Sequence, residues 1–208
     1  MDRAGLLDQL ARHVRDQRVL EAMGAVPRDV FVPRGLRAEA WENSALPIGE
    51  GQTISQPYVV ARMCELLALK GDETVLDVGT GSGYHAAVLA RLAERVVSIE
   101  RLAPLSKRAG EALAAARVRN VRLVVGDGSA GYEEEAPYDA INVAAASDRG
   151  VPPALLEQLA DGGRMVIPSD GRGQRLVLVC RRGGALKHEE HEPVRFVPLV
   201  TRDPKRSP

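Results

Sequence analysis

The stretch TVLDVGTGSGYHAAVLARLAERVVSIE, residues 74–100, decides the fold. Val75-Leu76-Asp77-Val78 is an apolar run too short for a helix and rich in β-branched residues, so it reads as a buried strand. Gly79, Gly81 and Gly83 follow at two-residue spacing, and His85 to Leu92 has the composition of a helix packed on a sheet. Arg95 to Ile99 is a second strand, and it ends in a carboxylate, Glu100. Glycines at such a strand-to-helix turn let backbone approach a ligand and adopt positive φ. The helix beyond opens with unpaired N–H groups.

A strand, glycine turn, helix, strand and acid in this order predict a nucleotide-shaped ligand at the carboxyl edge of a parallel sheet. Glu100 is placed to accept hydrogen bonds from ribose hydroxyls. A dinucleotide fingerprint would put its third glycine where this chain has Tyr84. Asp77, two residues before Gly79, suits a ligand with a cationic amino-acid end better than a pyrophosphate, which its charge would repel. S-adenosylmethionine (SAM) is such a ligand. A tight turn that binds nothing is the bland alternative.

The 208 residues can bury a full core, and a single domain with a modest appendage is the simplest division. Lys plus Arg and Asp plus Glu are both 28, so no net field argues for a nucleic-acid or basic partner. Cys64 and Cys180 lie in apolar segments, which favours buried thiols in a reducing compartment over a disulfide framework. The N-terminus has no apolar signal region, and no run approaches a membrane span. A cytoplasmic protein is expected.

Leu6, Leu7, Leu10 and Val14, then Val19, Leu20 and Met23, predict one or two short helices ended by Pro27. Phe31-Val32-Pro33 reads as a link, and Ala38 to Trp41 as the end of another short helix. Residues 46–57, LPIGEGQTISQP, carry two glycines, two prolines, two hydroxyls and two amides and read as a structured loop. A helix with Val60, Met63, Cys64 and Leu67 on one face follows Pro57. Ser55 is then either its N-cap or part of a polar loop that shows hydroxyls and N–H groups to a substrate.

Downstream, Leu105 to Ala116 is a crossover helix and Val121 to Val125 a third strand, ending in Gly126-Asp127-Gly128. Asp127 could accept from an adenine amine or simply shape a turn. Strands over residues 138–143, 164–168 and 175–180 and a helix from Pro152 to Ala160 follow. Gly183-Gly184 predicts a hairpin returning through Val194 to Val197. Glu133-Glu134-Glu135 reads as a solvated loop, and His85 as flanking the ligand, not as a base. His188-Glu189-Glu190-His191 has no third ligand nearby and does not match the HExxH order, so no metal is expected.

ALPIGEGQTISQP, VLDVGTGSGYHAAVLA, VVSIER, GDG, YDAI, PPALLEQLADGGRMVIP and PVRFVPL together resemble the protein-L-isoaspartate O-methyltransferases, as does RVLEAMGAVPRDVFVP. The resemblance covers nearly the whole chain, and the GQTIS loop is its most specific part. It implies an α/β, Rossmann-like methyltransferase fold: a mostly parallel twisted sheet with helices on both faces, an N-terminal helical cap and a C-terminal β-hairpin. One domain over residues 1–200 is expected, with a cap at 1–45, a substrate loop at 46–57, a SAM core at 72–200 and a disordered tail at 201–208.

The family methylates the α-carboxylate of L-isoaspartyl residues in damaged proteins; the ester cyclises to a succinimide, whose hydrolysis returns some aspartate. By this resemblance Ser55 falls on the active-site serine, with Gln52, Thr53 and Ile54 facing substrate. Asp77, Gly79, Thr80, Gly81, Ser82, Gly83, Glu100, Arg101, Asp127 and Gly128 fall on the SAM site. The implied partners are isoaspartyl proteins and peptides, with no nucleic acid, membrane or metal, and the protein is expected to be a monomer. The chain has Trp41-Glu42-Asn43 where members often have Tyr-x-Asp, and Ala144 where Thr is usual. Residues 147–150 read as a residue or two longer than usual. Esterification of an ordinary aspartyl in a natural-product peptide, driving aspartimide formation, is the alternative reaction. Tyr84 disfavours a nicotinamide oxidoreductase, and intact Asp77, Glu100 and Ser55 disfavour a non-catalytic binding protein.

Overall fold

Two short helices open the chain, α1 (Arg3–Leu10) and α2 (Gln17–Ala25). Each begins where an aspartate accepts from an otherwise unpaired N–H: Asp2 from Gly5 N at 2.9 Å and Asp16 from Arg18 N at 2.9 Å. Val26 ends α2 ahead of Pro27, as the clash before a proline requires. The computed structural model from which these elements are read describes residues 1–170 and 173–200, so the expected tail at 201–208 lies outside the described residues. The short helix expected to close at Ala38 to Trp41 is a pair of 3-10 turns, Arg28–Phe31 and Arg34–Glu39. Ala40 N reaches only to Arg37 O, the tighter bonding pattern.

Residues 46–57 are more regular than a loop. Strands β1 (Leu46–Gly49) and β2 (Gln52–Ile54) form an antiparallel hairpin, with Leu46 opposite Ile54 and Pro47 opposite Thr53. Gly49, Glu50 and Gly51 all have positive φ, which the tight reversal demands. Leu46, Ile48 and Ile54 enter the core while Pro47 and Thr53 face out. Helix α3 (Pro57–Leu67) starts one residue later than a Ser55 cap would require: its N-cap is Gln56, with no side-chain cap bond of its own. Asn43 Oδ1 instead accepts from Tyr58 N at 3.0 Å, and Gln56 Nε2 donates to Asn43 O at 3.0 Å. Ser55 is not the cap.

The remaining elements are β3 (Thr74–Val78), α4 (Tyr84–Leu89), β4 (Arg95–Glu100), α5 (Ala103–Ala115), β5 (Val121–Val125) and β6 (Tyr138–Val143). After them come α6 (Pro153–Glu157), β7 (Leu159–Asp170), β8 (Gln174–Arg182) and β9 (Ala185–Pro193). The sheet order is β5-β4-β3-β6-β7-β8-β9, parallel from β5 to β7 and antiparallel beyond. Helix α6 stops at Glu157, short of the expected Ala160, because Leu159 and Ala160 already belong to β7. The return strand of the C-terminal hairpin begins directly after Gly184 and ends at Pro193, so it is not the expected 194–197 run.

Successive strand residues feed opposite cores, as the pleat dictates. Val75, Val96, Ala140 and Val166 pack toward the helical cap and α3 to α5, whereas Leu76, Val97, Ile141 and Met165 pack toward Leu155 of α6. In the acidic run, Glu133 and Glu134 are exposed as expected, whereas Glu135 turns back to pair with Arg95 at 2.6 Å and with Arg122. Chain order reverses at β3, with β4 on one side and β6 on the other. A crevice beyond the carboxyl ends of these strands is the topological place for a ligand.

Candidate functional site

Two clefts meet at that edge. The first is walled by the glycine turn, the end of β4 and the residues after β2 and β6, with Val197 to Val200 closing it. Gly79, Thr80, Gly81 and Ser82 line it, together with Glu100, Arg101 and Gly128. Gln52, Thr53, Ile54 and Ser55 line it from the opposite side. The second cleft runs between Asn43, Tyr58, Glu192 and Phe196. Thr53, Ser55, Ala144 and Val197 border both.

Gly79 and Gly81 take φ of 95° and 54°, which an L side chain rarely adopts, and the backbone is thereby exposed along the cleft. Glu100 fixes the turn: its Oε2 accepts from Gly81 N at 2.9 Å and its Oε1 from Leu102 N at 3.0 Å. A carboxylate has about four lone-pair sites, so it can still accept ribose hydroxyls. Gly128 needs its hydrogen, because a Cβ there would lie 2.5 Å from Val78 Cγ1. A glycine cradle, a cleft-facing carboxylate and a bare floor at Gly128 fit an adenosyl ligand.

Three expected cofactor residues stand back from the cleft. Gly83, at φ 86°, sets the approach of α4 to α5, where a Cβ would meet Ala109 Cβ at 3.2 Å. Asp127 accepts from Ser129 N at 3.0 Å and Ser129 Oγ at 2.7 Å, shaping the turn that presents Gly128. Asp77 is fully buried. It sits in register between Ser98 on β4 and Asn142 on β6. Ser98 Oγ donates to Asp77 Oδ2 at 2.7 Å and Asn142 Nδ2 to Asp77 Oδ1 at 2.7 Å. Burial pushes its carboxyl up to about 6; the two hydrogen bonds oppose that rise, and the charge of Glu100 adds to it.

His85 also borders the first cleft. Burial lowers its pKa to about 3, so it is neutral at physiological pH. Asn142 Nδ2 lies 3.2 Å from His85 Nδ1, and Cys64 Sγ 3.5 Å from His85 Nε2. Since Asn142 can only donate there, Nδ1 accepts and Nε2 carries the proton toward Cys64. Burial raises the Cys64 thiol, which stays protonated. Both ring nitrogens are engaged, and His85 is no free base.

Ser55 is half-buried at the junction of the clefts, and its hydroxyl has no hydrogen-bond partner among the described residues. Thr53 beside it is exposed, whereas Ile54 turns mainly into the core, at 3% exposure. Sequence reasoning missed Ser98, Asn142 and the wall at 197–200. The first two were visible as single polar residues near the ends of apolar strands. The wall is held by backbone bonds between Ala146 N and Val197 O at 2.8 Å and between Leu199 N and Ala146 O at 2.7 Å. Among the described residues no group of three or more His, Cys, Asp or Glu is placed to hold a metal ion.

The family model for protein-L-isoaspartate(D-aspartate) O-methyltransferase matches residues 1–204. A protein-L-isoaspartate O-methyltransferase of Halorhodospira halophila is 57% identical over 198 residues, covering 94% of this chain and 90% of that protein. One from Methanoculleus marisnigri is 52% identical, covering 91% of this chain and 86% of that protein. A solved protein-L-isoaspartate O-methyltransferase superposes with a TM-score of 0.86 at 28% identity, covering 96% of this chain and 66% of that one. A putative Plasmodium falciparum enzyme of the same name, in complex with S-adenosyl-L-homocysteine, gives 0.83 at 25% identity over 96% of this chain and 99% of its own.

Proposed function

The chain belongs to the protein-L-isoaspartate O-methyltransferase family, and we propose that its two adjoining clefts hold the methyl donor and the damaged peptide of one reaction. The reaction is SAM-dependent methyl esterification of the α-carboxylate of L-isoaspartyl residues, leading through a succinimide to repair. The observation that carries the site assignment is the shared border: Thr53, Ser55, Ala144 and Val197 belong to both clefts. A reacting carboxylate there would touch the donor cleft from the substrate side. That every quoted relative carries the isoaspartyl name favours this reading over esterification of an ordinary aspartyl.

Bound in the first cleft, SAM supplies a methyl group on a sulfonium. A substrate carboxylate is already ionised at neutral pH. No base is therefore needed, in keeping with His85 being neutral and fully engaged. Ser55 Oγ–H donates to one carboxylate oxygen and leaves the other aimed at the methyl group; Thr53 and Gln52 shape the approach. The hairpin and the 197–200 wall keep water from the nucleophile. We further propose a cytoplasmic monomer acting on proteins and peptides, in keeping with its two free cysteines and balanced charge.

An isoaspartyl peptide incubated with enzyme and methyl-labelled SAM is expected to gain a base-labile methyl ester. Label in a base-stable form, or none, rejects the reaction. Glu100→Ala removes the ribose acceptor and the tie to Gly81 N. It is expected to weaken SAM binding by ~1–3 kcal/mol, the scale of a hydrogen bond to a charged group. Unchanged affinity by calorimetry would remove Glu100 from the site.

A further inference from the structure

The carboxylate best suited by charge to meet the cofactor's ammonium, Asp77, does not reach the cleft. Thr80 does, and the two are joined through Ser98: Thr80 Oγ1 lies 2.6 Å from Ser98 Oγ, which lies 2.7 Å from Asp77 Oδ2. All three are buried, Asp77 and Ser98 at 0% exposure and Thr80 at 3%. An ionised carboxylate only accepts, so the single proton of Ser98 points to Asp77. The proton between Ser98 and Thr80 must then come from Thr80, and Thr80 Oγ1 retains only acceptor capacity.

We propose that Asp77 acts through this hydroxyl chain, with Ser98 as a positioning residue, to present Thr80 Oγ1 as an acceptor for the α-ammonium of the methyl donor. The inference rests on the SAM site proposed above and deepens it. Asn142 sets the other side of the switch. It donates to Asp77 Oδ1, and its second N–H faces His85 Nδ1. In an Asp77→Asn variant the donor on Asn142 holds the new amide oxygen toward itself, which turns the new amide N–H toward Ser98. Ser98 must then donate to Thr80, and Thr80 turns its own proton to the cleft. One substitution reverses the chain: Thr80 Oγ1 then spends one of its two lone pairs on Ser98 and carries a free proton, so its acceptor strength toward a cation falls.

The protonation of Asp77 does the same reversibly. Burial pushes its carboxyl up to about 6, so acidification from pH 7 to 5 weakens the acceptor. The other titratable groups packed against it keep their state over that range: His85 is neutral with a pKa near 3, and the Cys64 thiol is protonated. Glu100, from β4, only adds to the rise of Asp77.

The test is calorimetry with two neutral-sulfur ligands, S-adenosylhomocysteine, which carries the α-ammonium, and 5′-methylthioadenosine, which does not. Asp77→Asn and Thr80→Val are expected to weaken S-adenosylhomocysteine by about 10- to 100-fold while leaving 5′-methylthioadenosine unchanged. Ser98→Ala should fall between them and wild type, and Thr80→Ser should restore binding. Wild-type affinity for S-adenosylhomocysteine alone should rise from pH 5 to 7, and Asp77→Asn should flatten that rise. If Asp77→Asn does not fold, Thr80→Val and Ser98→Ala carry the same comparison. Equal losses for both ligands, or no loss, overturn the relay while leaving the methyl-donor site standing. Failure of the wild type to bind either ligand overturns the site itself.

Discussion

Replacing Ser55 by alanine is expected to slow single-turnover methyl transfer by ~100- to 1000-fold, the loss seen when one preorganised donor is removed from a reacting oxyanion. SAM affinity and melting temperature should stay near wild type. The second half of that expectation follows from the helix start. Were Ser55 the N-cap of α3, alanine would cost about 1 kcal/mol of stability. The N-cap is Gln56, and the orphan N–H of Tyr58 is taken by Asn43 Oδ1. A half-buried hydroxyl without a partner among the described residues has little to lose from the fold, so a change within about 0.5 kcal/mol is expected. The first half follows from position: Ser55 stands where the two clefts join. A variant that melts early but turns over normally would return Ser55 to a structural role.

The parts of this fold that could be read from sequence are those where one physical pattern acts alone. Strands β3 and β4 are β-branched runs bounded by glycine or acid, and with β6 they are covered on both faces and appear where expected. The 46–57 hairpin was hidden because its turn glycines and its prolines also spell a loop; only the pairing of Pro47 with Thr53 shows that Pro47 lies on an outward, tolerated position. β9 was hidden for the opposite reason. It is the last strand of the sheet, exposed along residues 185–190, so LKHEEHE carries no apolar alternation to reveal it. The apolar PVRFVPL run next to it looked like the strand and instead closes the cleft.

At the site, glycines and Glu100 were legible because backbone exposure and a strand-end carboxylate are local properties. The role of Asp77 was not. Its side chain points between strands, and its partners lie 21 and 65 residues away, brought beside it by register. A charge can be placed from sequence; the hydroxyl that delivers its effect cannot.

Discrimination between isoaspartyl and aspartyl peptides is expected to be at least ~100-fold in kcat/KM, because a displacement near 1 Å from the line of attack costs that much. The two substrates are isomers. The α-carboxylate of an isoaspartyl residue is carried directly on Cα, whereas the aspartyl side-chain carboxylate stands one methylene further out, by about 1.5 Å. The junction that must sense this difference is fixed from both sides. Ser55 follows a hairpin whose Leu46 and Ile54 are anchored in the core, and it precedes the Asn43–Gln56 clasp. Opposite it, Ala144 N donates to Val78 O at 2.8 Å, and Val197 O accepts from Ala146 N at 2.8 Å. Such a frame cannot slide by a bond length to follow a longer carboxylate arm. Ala144 adds no hydroxyl to compensate, so the orienting hydroxyls at the shared border are those of Thr53 and Ser55. Matched peptides that differ only in this linkage, assayed for labelled methyl ester under the same conditions, decide the matter. Equal efficiencies, or a preference for the aspartyl isomer, would show that the junction yields and would assign the enzyme to ordinary aspartyl modification.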